Sequence, residues 1–423
     1  MTLLLFVLLM VFFIIGLPIA FSLGLASAVT VWYGDLMPML IIPQQLIASV
    51  NSFPLMAIPF FILAGYLMQG GGISKRLVDF SNTLVGSMTG GLAMVAIVTS
   101  LFFAAISGSG AATTAAIGSI LIPAMISKGY SATYASANQA ASGALGVIIP
   151  PSIPLILYSI AADVSVSDMF MAGVLPGLML TLSLLIYAYV YAKFNHYGGE
   201  AKTSWKEVYQ AGKKAILAIL MPVIILGGIY GGIFTPTEAA VVAVAYSLVV
   251  GCLVYREIKL SQILSIFQES AVTTAVILVI IGAAGIYGRI LQHLRVPDMV
   301  SNFVIDTIES PFVFIVLLNL LLLLAGMFIE AAAAILIFVP ILLPIAISFG
   351  FDPVHLGIIM VVNLAMGMFT PPVGLNLFVA SQISKVGISR LSFSVLPFVA
   401  IVLINLLLIS VLPFLSTWLP SLR

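Results

Sequence analysis

Gly146-Val147-Ile148-Ile149-Pro150-Pro151-Ser152-Ile153-Pro154 is an apolar, helix-like run that cannot remain a helix. Three prolines within five residues remove backbone donors and restrict the residues that precede them, so the helix must unwind there. The same Gly-x-x-x-Pro-Pro signature returns 221 positions later as Gly367-Met368-Phe369-Thr370-Pro371-Pro372, followed by Val373-Gly374-Leu375-Asn376. In that register residues 120–151 overlie 341–372 without a gap. Ten of the 32 positions are identical: Ile120, Leu121, Pro123, Ile126, Ser127, Gly129, Ala144, Gly146, Pro150 and Pro151. Several of these are glycines and prolines, which set backbone shape, so the chain reads as a duplicated unit.

The composition identifies the solvent. Hydrophobic residues make up 62% of the 423 and charged residues 7%, against roughly 25% in a soluble domain. With a mean hydropathy of +1.27, the chain reads as an all-α polytopic membrane protein, much of its surface facing lipid. A formal charge of +1 offers no basic field for nucleic acid. The lone Cys252 cannot form an internal disulfide, and His196, His293 and His355 form no metal-ligand cluster. The opening apolar run lacks a basic leader and an Ala-x-Ala cleavage site, and reads as a retained membrane helix.

Helical patterns fall at 3–16, 18–33, 53–69, 73–84, 91–106, 111–127, 132–149, a short piece after Pro154, and 168–194. The second half continues with 215–230, 236–255, 271–294, 298–308, 311–328, 331–349, 353–369, a piece after Gly374, and 391–419. Residues 193–214 carry five of the fifteen basic residues with Glu200, Glu207 and the Gly198-Gly199 breaker, and are expected on the cytoplasmic side. The expected division is repeat 1 at 1–194, a connector at 195–214, and repeat 2 at 215–423. The repeats are expected in inverted topology. Each carries a re-entrant hairpin, at about 91–127 and 311–349, and a broken helix, at about 132–162 and 353–384.

The first hairpin tip, Ser107-Gly108-Ser109-Gly110-Ala111-Ala112-Thr113-Thr114, frees N–H groups at the start of one helix and carbonyls at the end of another, beside residues small enough for close approach. A tight Gly-x-x-x-Gly helix contact is the plain alternative. Opposed broken helices favour anions at their N-terminal halves and Na⁺ at their unwound carbonyls. Glu330, in Gly326-Met327-Phe328-Ile329-Glu330, stands in register with Ser109; an intramembrane carboxyl reads as a ligand or helix-start group, with a purely structural cap as the plain alternative. Thr235-Pro236-Thr237-Glu238 matches a structural capping box. Asn138, Gln139, Asn363 and Asn376 sit beside the breaks and either line the site or bridge helices. Tyr158 and Asp163 follow the first break within reach of a ligand. Arg289, His293, Arg295 and the Lys75-Arg76 pair read as interfacial anchors.

The chain resembles the large membrane subunit of tripartite ATP-independent periplasmic (TRAP) transporters, the DctM-like family. The resemblance runs nearly end to end. It rests on Asn51-Ser52-Phe53-Pro54-Leu55-Met56-Ala57-Ile58-Pro59-Phe60-Phe61, on the first tip, on Ile149-Pro150-Pro151-Ser152, on Gly231-Gly232-Ile233-Phe234-Thr235-Pro236-Thr237-Glu238-Ala239-Ala240, and on Phe369-Thr370-Pro371-Pro372-Val373-Gly374. It implies a multi-pass protein of a bacterial inner membrane that imports organic acid anions by Na⁺ symport, of the sialic acid or C4-dicarboxylate class. It also implies a soluble periplasmic binding protein and a small four-helix membrane subunit, expected on a separate polypeptide because the chain begins with the first helix of the large subunit. An elevator mechanism, with a transport domain sliding through a scaffold domain in membrane lipid, is part of the same expectation.

Carried over by motif, one Na⁺ site is expected at Ser107, Gly108, Ser109 and Gly110 with Pro150. A second is expected at Gly326 and Glu330 with Gly367, Thr370 and Pro371. Ser107, Ser109, Ser152, Asn138, Tyr158 and Asn376 are expected to bind substrate, with Pro151, Pro372, Thr235, Pro236 and Glu238 structural. A stand-alone carboxylate carrier is the alternative. No Gly-x-x-x-x-Gly-Lys-Ser/Thr or His-Glu-x-x-His run exists, and Asp35 follows Trp32-Tyr33-Gly34, which leaves an intramembrane enzyme remote.

Overall fold

A computed structural model describes residues 1–199 and 203–422. The expected connector's Glu200 and Lys202 lie outside the described residues. Five helices come first: α1 (Thr2–Ile14), α2 (Ile19–Gly34), α3 (Ile41–Val50), α4 (Ala57–Gly70) and the amphipathic α5 (Ile73–Val85). A hairpin follows, α6 (Gly91–Ser107) and α7 (Gly110–Ser127), then the broken helix α8 (Ala132–Gly143), α9 (Leu145–Ile148) and α10 (Ile153–Ala161), and the long α11 (Val166–Phe194). The second half runs α12 (Trp205–Tyr230), α13 (Pro236–Leu248), α14 (Leu260–His293) and α15 (Val296–Thr307). It ends with the hairpin α16 (Pro311–Phe328) and α17 (Ala331–Ser348), the broken helix α18 (Pro353–Gly367) and α19 (Leu375–Ser384), then α20 (Ile388–Val411) and α21 (Phe414–Thr417).

The 221-residue offset holds to single residues. Moved by 221, the bounds of α7 become those of α17, and the last residue of α6 becomes the last residue of α16. Nine helices among the described residues are long and apolar enough to span a membrane, or ten if the bent pair 132–148 and 153–161, at 43°, is one span. The protein is therefore a multi-pass membrane protein whose exposed leucines, such as Leu320 and Leu324 on α16, suit a hydrocarbon solvent.

Packing reveals the inversion. The Tyr158 hydroxyl, near the far end of the first broken helix, donates to the Pro353 carbonyl at the beginning of the second, at 2.6 Å. The two broken helices therefore run antiparallel. Each post-break helix also packs on the other repeat: α10 lies against α17 and α19 against α7, with the Asn376 amide donating to the Ala140 carbonyl at 3.1 Å.

Four element readings are corrected. Ser204 and Glu207 form a reciprocal capping box, so α12 starts at Trp205, inside the expected connector. Lys259 and Gln262 begin α14 eleven residues before the expected 271, because the interfacial polar turn 261–270 still supports helix. The short α3 lacks both a capping side chain and a buried face, which hid it from a reading based on long apolar runs. The last span stops at Val411, before the Leu412-Pro413 break, rather than at 419.

Candidate functional site

The Gly-x-x-x-Pro-Pro signature acquires its meaning from what each glycine touches. A Cβ on Gly146 would stand 2.6 Å from Thr113 Oγ1 and 2.7 Å from the Ser109 carbonyl carbon, closer than real side chains come. One on Gly367 would stand 2.6 Å from Gly326 Cα. In both repeats the missing side chain lets the helix before the break lie directly on a hairpin tip. The break then bonds that tip: the Ile153 N–H donates to the Gly108 carbonyl at 3.4 Å, and the Gly374 N–H to the Met327 carbonyl at 3.3 Å. The donors at 153 and 374 are 221 apart, while the acceptors, Gly108 and Met327, are 219 apart, so each break bonds its tip but at a carbonyl two residues out of register.

At the first tip Gly108 takes a left-handed φ of 59° and reverses the chain. Ser109 caps α7, its Oγ accepting from the Ala112 N–H at 3.4 Å. Ser107 Oγ lies 2.8 Å from Thr113 Oγ1 and 3.3 Å from the Ser109 carbonyl oxygen, and Thr113 Oγ1 donates to that carbonyl at 2.8 Å. Two hydroxyls and a carbonyl thus converge beneath Gly146. This is a hard-oxygen donor set of the kind an alkali cation takes, in a cradle that a Cβ would fill. At the second tip Glu330 precedes α17 in an extended conformation at the position equivalent to Ser109, and lines the cavity described below.

Both tips meet at one cavity of about 710 Å³. Ser107, Gly108, Ser109 and Gly110 of the first repeat line it together with Ile153 of the first break, Glu330 of the second tip and Leu375 after the second break. The opposite wall comes from α2, α4 and α14, including Tyr66, Gln69 and Thr273. The Tyr66 hydroxyl and Thr273 Oγ1 are 3.0 Å apart and tie α4 to α14.

Four residues expected to touch substrate do not line this cavity. Ser152 donates to the Val147 carbonyl and caps α10, so its hydroxyl closes the break from within. The Asn138 amide donates to the Ala93 carbonyl at 3.2 Å, Tyr158 bonds Pro353, and Asn376 bonds Ala140. These groups bridge helices because a polar side chain at this depth must find a protein partner. Asn363 bridges likewise, donating to Asn319 Oδ1 at 2.9 Å. Pro150, Gly326, Gly367, Thr370 and Pro371 stand behind the tips; Thr370 Oγ1 donates to the Met366 carbonyl at 2.6 Å. Thr235 and Glu238 make the reciprocal capping pair, with the Thr235 N–H donating to Glu238 Oε2 at 2.8 Å, and neither lines the cavity. Thr113, Tyr66 and Thr273 were not among the expected site residues. For Thr113 the signal was present, since the Thr113-Thr114 pair follows the Ser-Gly-Ser-Gly turn by one helical step.

A family model for the tripartite ATP-independent periplasmic transporter, DctM component, matches residues 6–415. An isethionate TRAP transporter permease protein of Oleidesulfovibrio alaskensis is 45% identical over 95% of this chain, which spans 64% of that longer relative. A C4-dicarboxylate TRAP transporter large permease protein of Vibrio cholerae is 40% identical over 99% of this chain and 97% of its own. A sialic acid TRAP transporter large permease protein of the same organism is 36% identical, covering 96% and 95%. The solved YdaH transporter of Alcanivorax borkumensis shares the fold, with a TM-score of 0.65 at 16% identity over 87% of each chain.

Proposed function

Because the chain belongs to the DctM component family of TRAP transporters, as a large permease subunit, we propose that it imports organic acid anions across a bacterial inner membrane by Na⁺ symport. The observation that carries the reading is the meeting of both tips with residues flanking both breaks on one cavity. Oxygens for a cation and helix starts for an anion then share a centre.

Ser107, Thr113 and the Ser109 carbonyl would hold one Na⁺, and Glu330 with the carbonyls around Gly326 and Gly367 a second. Bound there, the ions would hold the tips to the breaks and favour the loaded state by differential affinity. The repeat helices would form the transport domain and α2, α4 and α14 part of the scaffold past which it slides. A soluble periplasmic binding protein would deliver the acid, and a small four-helix membrane subunit would brace the scaffold. Isethionate, C4-dicarboxylates and sialic acid, the substrates in the relatives' names, bound the substrate class.

Proteoliposomes containing this chain and the small subunit test the reading. Uptake is expected only with an inward Na⁺ gradient and a loaded binding protein. Uptake that ignores Na⁺ would overturn the symport assignment, and uptake by this chain alone would favour a stand-alone carrier.

A further inference from the structure

We infer that a second cavity, between α5 and α12, binds the zwitterionic headgroup of a phosphatidylethanolamine-type lipid. This inference is independent of the transport reading. The cavity measures about 280 Å³, just below the roughly 300–1,000 Å³ of drug-sized ligand sites, and none of its residues lines the larger one. Arg76, Asp79 and Thr83 line it from α5, and Glu207, Gln210 and Lys214 from α12. Both sets recur at helical spacing, so each helix contributes one polar stripe. The two helices pack together, and a Cβ on Gly212 of α12 would meet the Phe80 ring of α5 at 3.5 Å.

Two cations and two carboxylates line this cavity without neutralising one another. Arg76 is engaged on its other side: Nη1 donates to the Gly72 carbonyl at 2.9 Å, Nη2 to Glu257 Oε1 at 3.0 Å, and the guanidinium lies 3.9 Å from the centre of the Tyr255 ring. Glu207 Oε2 accepts from the Ser204 N–H and hydroxyl, which leaves Oε1. The Asp79 carboxylate and the Lys214 ammonium have no ion pair or hydrogen bond among the described residues. An ion of one sign alone would meet a like charge in this cavity. A phosphodiester joined to a primary ammonium meets both signs, its oxygens accepting from Lys214 and Arg76 and its N–H groups donating to Asp79 and Glu207. Position selects a lipid as the bearer. The amphipathic α5 buries Ile73 and Leu77 and leaves Lys75 and Asp79 exposed. On α12 the polar turns end at Lys213-Lys214, where the apolar run from Ala215 begins. Trp205 and Tyr209 are 88% and 73% exposed, as in the aromatic belts of membrane–water boundaries. The lining charges therefore lie at headgroup level.

The test is native mass spectrometry of the delipidated full chain, titrated with phosphatidylethanolamine, phosphatidylcholine or phosphatidylglycerol of matched acyl chains. Phosphatidylethanolamine is expected to bind at least fivefold more tightly than either, because choline has no N–H to donate and glycerol carries no cation. Equal or tighter binding of either competitor overturns the inference. Asp79→Asn takes away a partner of the ammonium, and is expected to weaken phosphatidylethanolamine at least threefold while leaving phosphatidylglycerol unchanged. Lys214→Gln takes away a partner of the phosphate, and is expected to weaken both. If both variants are monodisperse and bind all three lipids as wild type does, the cavity is not the headgroup site. Soluble phosphoethanolamine at the lipid's concentration is expected to displace none of it; displacement would make the free zwitterion the ligand and overturn the lipid assignment.

Discussion

Gly146→Ala adds one methyl group where the first broken helix crosses the first tip. That methyl would stand 2.6 Å from Thr113 Oγ1, so separation must grow by about 0.8 Å to reach ordinary van der Waals contact. The Ser109 carbonyl lies on the same side and is held by the Thr113 hydroxyl, so neither oxygen can move alone. Overpacking of this kind costs about 1–3 kcal/mol. Because the displaced atoms are the oxygens assigned to the cation, the cost is expected to fall on Na⁺ affinity, a rise in half-saturating Na⁺ of roughly 5- to 150-fold. The assay is Na⁺-dependent uptake in proteoliposomes at fixed binding-protein concentration, with Gly24→Ala as the control, since nothing lies within 4 Å of a Cβ there. If Gly146→Ala is monodisperse and keeps the control's Na⁺ dependence, the cradle beneath Gly146 is not a cation site.

Replacing Ser107 with Ala and Thr113 with Val together removes both hydroxyls from that cluster, and Na⁺-dependent uptake is expected to fall at least tenfold while membrane insertion, followed by protease protection, is unchanged. Glu330→Gln removes the carboxylate from the second tip, and the Na⁺ to substrate ratio, read from reversal potentials, is expected to drop; an unchanged ratio would make Glu330 a helix start alone. Thr235→Ala breaks a capping pair that does not line the cavity and is expected to cost about 1 kcal/mol of stability, seen as a lower melting temperature with unaltered uptake per folded molecule. Asn363→Ala takes the donor from the buried Asn319 Oδ1, whose own amide keeps its bond to Ser410, and a loss of about 1–3 kcal/mol is expected in thermal unfolding, with Na⁺ affinity within a few-fold of wild type.

Much of this architecture was legible because its strongest determinants are local. Proline cannot continue a helix, so both breaks were visible in the sequence, and the 221-residue register paired them before any coordinates. The hairpin ends were readable for the same reason, since Ser109 and Glu330 mark helix starts beside small residues. Partners brought together only by the fold were not readable. Asn138, Tyr158 and Asn376 are polar groups near a break, and periodicity alone does not say whether such a group meets ligand or a carbonyl 45, 195 or 236 residues away. For Ser152, a capping serine and a liganding serine look alike in sequence, and the Val147 carbonyl that accepts its hydrogen bond lies within its own break. The outer wall escaped notice because Tyr66 and Thr273 each stand within an ordinary apolar helix.

The two copies have kept the parts that shape the backbone and changed the parts that face the cavity. Gly146 and Gly367 each let a broken helix lie close on a hairpin, and the N–H groups of residues 153 and 374 each bond a hairpin carbonyl, although the hairpin residues met are not in the same register. Ser109 and Glu330 occupy equivalent positions with different charge, and Ser107 has Phe328 as its counterpart. Had both copies kept serine, the cavity would offer two like helix starts and no charge of its own. With one glutamate it is chemically one-sided, hydroxyl-rich at the first tip and bearing a carboxyl group at the second. Inverted duplication makes a symmetric frame, and the Ser109–Glu330 difference makes the two proposed cation sites unlike, hydroxyls and a carbonyl at the first tip and a carboxyl at the second.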